Sequence, residues 1–223
     1  MSFADLLPGQ NAETVRDHWW WRPGWRVGRR FYAFHLTFGG NEEVQRLVAA
    51  YRQALAGLTA VTIVPDEWLH LTVQGIGFAD ERSPAEVGRI AERATEAMAS
   101  IGAFDVEFGE IVVADEAIVM PADPPDPIQR LRRTARAAIA NVLGQDQVTE
   151  DPDRFRPHIS VAYLAAAGPA APYVNAVAAN RPRQARVSID RMDIIQMHRD
   201  NRMYEWATVA TLPLDRRAAG SAE

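Results

Sequence analysis

The sequence predicts an α+β fold: a bilobal pseudo-twofold duplication, with two mainly antiparallel sheets facing a central cleft and helices on the outside. Three observations carry this. Stretches that alternate apolar and polar residues interleave with longer stretches of helical period. The order strand, helix, strand, helix, strand is read twice. Landmarks also recur in register: Gly57 lies 13 residues before His70 and Gly144 lies 14 before His158, while each histidine lies 14 residues before a helix-opening proline, Pro84 or Pro172.

Each element has its own local signal. Residues 31–38 alternate as a strand, 41–56 read as a helix opening at Asn41 and stopping at Gly57, and 67–76 form the first histidine strand. Ser83-Pro84-Ala85-Glu86 is a capping box with proline in the first turn, so a helix runs to about residue 100. Strands follow at 103–113 and 116–120, then a helix from Asp126-Pro127 to Gly144 and the second histidine strand at 155–164. A short helix near 172–180 and strands at 186–197 and 203–212 close the order. The implied division is an N-terminal arm (1–29), a bilobal domain (30–214, lobes about 30–113 and 114–214) and a tail (215–223) whose alanine, glycine and charge suggest fraying.

Composition removes several function classes. With 48% hydrophobic residues the chain can bury a core, yet no apolar run approaches the roughly 18 residues of a membrane span. The N-terminus carries Asp5 and Glu13 rather than a basic and then hydrophobic leader, so a cytoplasmic protein without membrane attachment is expected. There is no cysteine, which excludes thiol nucleophiles, disulfides and thiolate metal sites. All 24 basic residues are arginine, as in GC-rich coding. Without lysine there is no adenylated-lysine intermediate, Schiff base or Walker loop, and no requirement for ATP is expected. A net charge of −5 disfavours wrapping of long nucleic acid and leaves a small anion or a strand end as the compatible partner.

The arm contains Trp19, Trp20, Trp21 and Trp25 among Arg22, Arg26, Arg29 and Arg30. Such residues can pack over a lobe, stack a base while arginines hold phosphates, or sit at a membrane interface. Packing is the expected role.

The five histidines are His18, His35, His70, His158 and His198. In a strand, alternate side chains share a face, so His70 projects with Thr72 and His158 with Ser160. Two facing imidazoles suit acid–base cleavage of a phosphodiester, one taking a proton from the attacking group and the other protonating the leaving oxygen. His35-Leu36-Thr37-Phe38 fits the same pattern, but the duplication selects the other two. His35 lies 22 residues before Gly57, and the point 22 before Gly144 is Ala122. His35 therefore reads as a half-buried strand residue that could still line the cleft, and His198 as part of a polar turn. No metal-ligand spacing such as His-x-His or His-Glu-x-x-His occurs, and neither a metal nor another cofactor is expected.

By alternation, Trp68 and Gln74 share the face of His70, and Arg156 that of His158, making them candidate substrate contacts along with His35. Tyr163 falls on the opposite face unless a bulge intervenes.

The segments His70-Leu71-Thr72-Val73 and His158-Ile159-Ser160-Val161, 88 residues apart, resemble the two-histidine phosphoesterase superfamily, which includes 2'-5' RNA ligases and RNA 2',3'-cyclic phosphodiesterases. The resemblance covers about residues 30–214. It implies a bilobal fold with a central cleft, metal-independent chemistry, His70 and His158 as acid and base, and the hydroxyls of Thr72 and Ser160 on the phosphate. The implied substrate is a 2',3'-cyclic phosphate or a 2'-5' linkage on a nucleotide or RNA terminus, with ligation as the reverse reaction. A nucleotide or RNA-end receptor without turnover would carry the same motifs. Where many members have an arginine shortly after the second hydroxyl, this chain has Ala162 and Tyr163.

Overall fold

Helix boundaries follow capping chemistry. In a computed structural model describing residues 3–215, α1 (Glu42–Leu55) begins where Asn41 accepts from the Val44 amide at 3.0 Å. Ser83 and Glu86 close a capping box at α2 (Pro84–Met98), satisfying amides that a first turn otherwise leaves unpaired. Helix α3 (Asp126–Leu143) stops at Gly144, which takes the positive φ of +101° that a side chain disfavours. A short α4 spans Ala171–Ala178.

Among the described residues, twelve strands accompany these helices. The first five are β1 (Thr14–Val15), β2 (Phe31–Thr37), β3 (Val61–Ile63), β4 (His70–Phe78) and β5 (Phe104–Phe108). There follow β6 (Val112–Val113), β7 (Ala117–Asp123), β8 (His158–Leu164) and β9 (Gly168–Pro169). The last three are β10 (Ala185–Ile189), β11 (Arg191–His198) and β12 (Glu205–Pro213). The strand expected at 103–113 is thus two strands, β5 and β6, and the short β1, β3 and β9 were not legible. The tail lies, apart from Asp215, outside the described residues; Asp215 itself bridges to Gly102.

The two larger sheets are antiparallel. One has the order β12-β11-β2-β4, the other β10-β5-β7-β8-β3, with β6 also on β7. Superposing β2 and β4 on β7 and β8 also matches β11 with β5, which is the expected pseudo-twofold relation. The division into lobes at 113/114 is corrected by this pairing. Strand β5 from the first half borders β7 of the second, and β11 from the second half borders β2 of the first. The helices cross as well: α1 packs on β8 and β10, while α3 packs on β4 and α2. Alternation marks which face of a strand is buried but not which strand lies beside it, so the exchange leaves no local trace.

Candidate active site

The two histidine strands meet the cleft with the same local geometry. His70 Nδ1 lies 2.8 Å from the carbonyl of Trp68 and His158 Nδ1 lies 2.7 Å from that of Arg156. A carbonyl only accepts, so each Nδ1 carries its proton and donates, leaving Nε2 as the nitrogen that exchanges protons. Both rings, with Thr72 and Ser160, line one cleft of about 380 Å³. The structure therefore brings together the four residues first singled out.

Each motif also carries a bulge at the same point. Across β2, Gln74 pairs with Phe34 and Thr72 with His35, so Val73 has no partner. Across β7, Ala162 pairs with Ile118 and Ser160 with Val119, skipping Val161. An unpaired residue shifts the alternation by one. Two expectations change as a result. Gln74 turns from the cleft into full burial, where its amide donates to the carbonyls of Gly75 and Thr149 and its oxygen accepts from Arg136. Tyr163, expected on the opposite face barring a bulge, joins Ser160 on the cleft wall, and Gly75 takes the matching position near Thr72.

The other candidate contacts are also corrected. Trp68 and Arg156 precede their strands, so alternation does not govern them. What each contributes is the carbonyl that holds a histidine. The Trp68 ring packs edge-on against Trp206 with centroids 4.8 Å apart, and the Arg156 guanidinium lies 5.8 Å from the Phe3 ring. His35 is completely buried and out of ligand reach. It stacks on His70 at 4.4 Å with planes 5° apart, and its Nε2 lies 3.1 Å from Thr72 Oγ1. Its structural counterpart is Val119, which pairs with Ser160 as His35 pairs with Thr72, and not Ala122. The offset arises because α3 is longer than α1. His198 ends β11 close to Asp200 and Glu205.

Burial dominates the electrostatics. It lowers His70 to about 4, partly offset by the Trp68 carbonyl, and a charge on His158 lowers His70 further. His158 is also lowered by burial, against its own carbonyl bond. His35 falls well below the ordinary imidazole value for lack of solvent. Burial and the nearby Tyr204 push the Tyr163 phenol up, while a hydrogen bond with Ser160 works against that rise.

Of the other cleft residues, His18, Phe31, Glu150, Met197 and Tyr204 were missed, while Arg22 and Trp25 come from the arm whose alternatives included stacking a base and holding phosphates. His18, Arg22 and Trp25 belong to the arm, which packs only in part as expected, since Trp20 and Trp21 stay exposed. Trp19 is buried, and its indole donates to Thr62 Oγ1 at 3.3 Å. Among the described residues no group of three or more His, Asp or Glu side chains is placed to hold a metal ion.

This fold, with a histidine–hydroxyl motif on each of two equivalent strands, defines a two-histidine phosphoesterase-type protein. The family model of the 2'-5' RNA ligase superfamily matches residues 41–201, and the chain belongs to that superfamily. TT0787 of Thermus thermophilus shares the fold with a TM-score of 0.63 and 18% identity, over 85% of this chain and 99% of that one. E. coli LigT in its apo form gives a TM-score of 0.60 at 14% identity, over 84% and 99%. LigT complexed with NADP+ gives 0.61 at 14% identity, over the same shares. A search of curated proteins returns no match.

Proposed function

We propose that this chain is a metal-independent phosphoesterase that hydrolyses a 2',3'-cyclic phosphate or a 2'-5' phosphodiester on a nucleotide or RNA end. The observation that carries the reading is the mirrored pair of Nδ1–carbonyl bonds, which commits both Nε2 atoms to proton exchange in one cleft. The structures of E. coli LigT with NADP+, 3'-AMP and ATP support a nucleotide as the ligand class.

His70 serves as base in hydrolysis. It lies flat against His35 and edge-on to Trp206, and a proton on His158 opposes a second one on His70. His70 Nε2 takes a proton from water as the oxygen attacks phosphorus. The bond from phosphorus to one ribose oxygen breaks, and His158 Nε2–H protonates that oxygen. Thr72 and Ser160 donate to the nonbridging oxygens, where charge accumulates. In reverse, a 5'-hydroxyl replaces water and the two histidines exchange roles.

The test is a panel of cyclic and 2'-5'-linked substrates with product identification, run with and without EDTA. Either single alanine substitution, His70→Ala or His158→Ala, should cost on the order of 10²–10⁴ in rate. A folded double variant as active as the parent, or activity lost to EDTA and restored by zinc, refutes the reading. Binding of cyclic nucleotides with no turnover leaves a receptor instead.

A further inference from the structure

Residues preceding the family match at 41 build one wall of the cleft. Their placement is firm. Strand β1 pairs with β9, and the amides of Ala12, Arg16 and His18 donate to the carbonyls of Val113, Asp115 and Leu164 at 2.7–2.8 Å. Further along, the Gly28 amide donates to Asp200 at 3.0 Å. The wall is therefore part of the folded domain.

That wall is rich in guanidinium groups. Arg16 pairs with Asp115 and Glu116 at 3.0 Å, and Arg22 shares Glu116. Glu116 also accepts from the Trp20 indole at 2.9 Å. Arg199 is buried against Trp19, Trp21, Trp25 and Tyr204, and one of its amino groups donates to the His18 carbonyl at 2.8 Å. Its other amino group, and the Nε of Arg22, are buried without a hydrogen-bond partner among the described residues. His18 adds no charge, since burial, Arg22 and Arg199 hold it down near 2. Arg22 thus brings a guanidinium to the cleft wall and shares its carboxylate partner, Glu116, with Arg16. Donors left unmet at low solvent exposure are costly, and an anion would relieve that cost.

The aromatic surface lies beside that charge. Trp25 packs against Phe31 at 5.5 Å with the rings tilted by 33°, and edge-on to Phe78, and Trp25, Phe31 and Tyr204 line the cleft with Arg22. Such rings accept a base at about 1–3 kcal/mol each. We infer that the arm forms a second anion subsite, in which Arg22 takes the phosphate next to the reacting one while the Trp25 wall carries the nucleoside. This rests on the phosphoesterase reading and narrows it to nucleotides with a second phosphate on the same sugar, as at the end of an RNA strand. Arg22 then supplies a cation that the positions after Ser160, Ala162 and Tyr163, do not.

Calorimetry with two unreactive ligands tests it: adenosine 3'-monophosphate and adenosine 3',5'-bisphosphate. The parent should bind the bisphosphate roughly tenfold more tightly, a typical effect of one charge-assisted contact. Arg22→Gln should weaken the bisphosphate far more than the monophosphate and so remove that ratio, and Glu116→Gln, which keeps the guanidinium, should preserve or enlarge it. Equal affinities in the parent, equal weakening of both ligands by Arg22→Gln, or loss of the ratio in Glu116→Gln overturns the subsite. Neither ligand is turned over, so a protein that prefers the bisphosphate yet hydrolyses no substrate retains the subsite and loses the proposed reaction.

Discussion

His35 should act on the reaction through Thr72, without touching substrate. Its Nδ1 is buried and has no hydrogen-bond partner among the described residues, and its Nε2 faces Thr72 Oγ1 at 3.1 Å. An orphaned buried N–H is rarer and costlier than an unmet acceptor, so the proton belongs on Nε2. Nε2–H then donates to Thr72, which turns the Thr72 hydroxyl proton toward the cleft as a donor. His35→Leu keeps the volume and removes that bond. One neutral hydrogen bond is worth about 0.5–1.5 kcal/mol, so kcat should fall roughly two- to twelvefold. Thr72→Ala removes the donor itself and should cost on the order of 10²–10³. Steady-state kinetics on a 2',3'-cyclic nucleotide, with melting curves as a folding control, complete a double-mutant cycle. His35→Leu should add nothing on the Thr72→Ala background, and His35→Gln, which retains an N–H, should recover part of the loss. A His35→Leu effect of the same size in both backgrounds refutes the coupling and assigns the loss to the stack on His70.

Two further outcomes follow from burial and close contact. His18 and His70 are held neutral in the folded protein, near 2 and 4 against 6.5 unfolded. The unfolded chain therefore binds more protons as pH falls below about 6.5, and stability declines in that direction. At about pH 5 each contributes a loss of roughly 2 kcal/mol relative to neutrality. Urea unfolding at the two pH values should show His18→Gln removing its share of the decline, and an unchanged slope would refute the assignment. Separately, a Cβ at Gly75 would lie 2.7 Å from Glu150 Oε1 and 3.0 Å from Phe31 Cζ. Gly75→Ala should cost roughly 1–3 kcal/mol, lowering the melting temperature by about 2–4 °C per kcal/mol, and an unchanged melting curve would refute the close contact.

How much of this was legible follows the range of each signal. Helices were read to within a few residues because caps and breakers such as Asn41, Ser83-Pro84 and Gly144 act locally. His70, Thr72, His158 and Ser160 were found because three landmarks recur in register. Beyond those residues alternation failed on both strands at the same place, since Val73 and Val161 look like ordinary inward valines and nothing in their chemistry marks a bulge. Gln74 and Tyr163 were misplaced by that one shift. The arm was harder still. Arg22 and Trp25 reach the cleft through long-range pairings with Glu116, Arg199 and Phe31, none of which sequence spacing encodes.

The two halves share a backbone plan and differ in what supports it, and that difference distinguishes the two histidines in the proposed reaction. Both histidines are locked by the carbonyl two residues before them, and both hydroxyls precede a bulge. Behind Thr72 stands a buried imidazole; at the matching place behind Ser160 stands Val119, and Ser160 bonds with the Tyr163 phenol instead. His70 is stacked on His35 and flanked edge-on by Trp206, whereas His158 meets only the edge of Phe3 among the ring contacts of the described residues. A symmetric pair would share its first proton equally between the two rings. Burial lowers both rings, and a charge on His158 lowers His70 further, which fits the proposed assignment of His70 as base and His158 as acid.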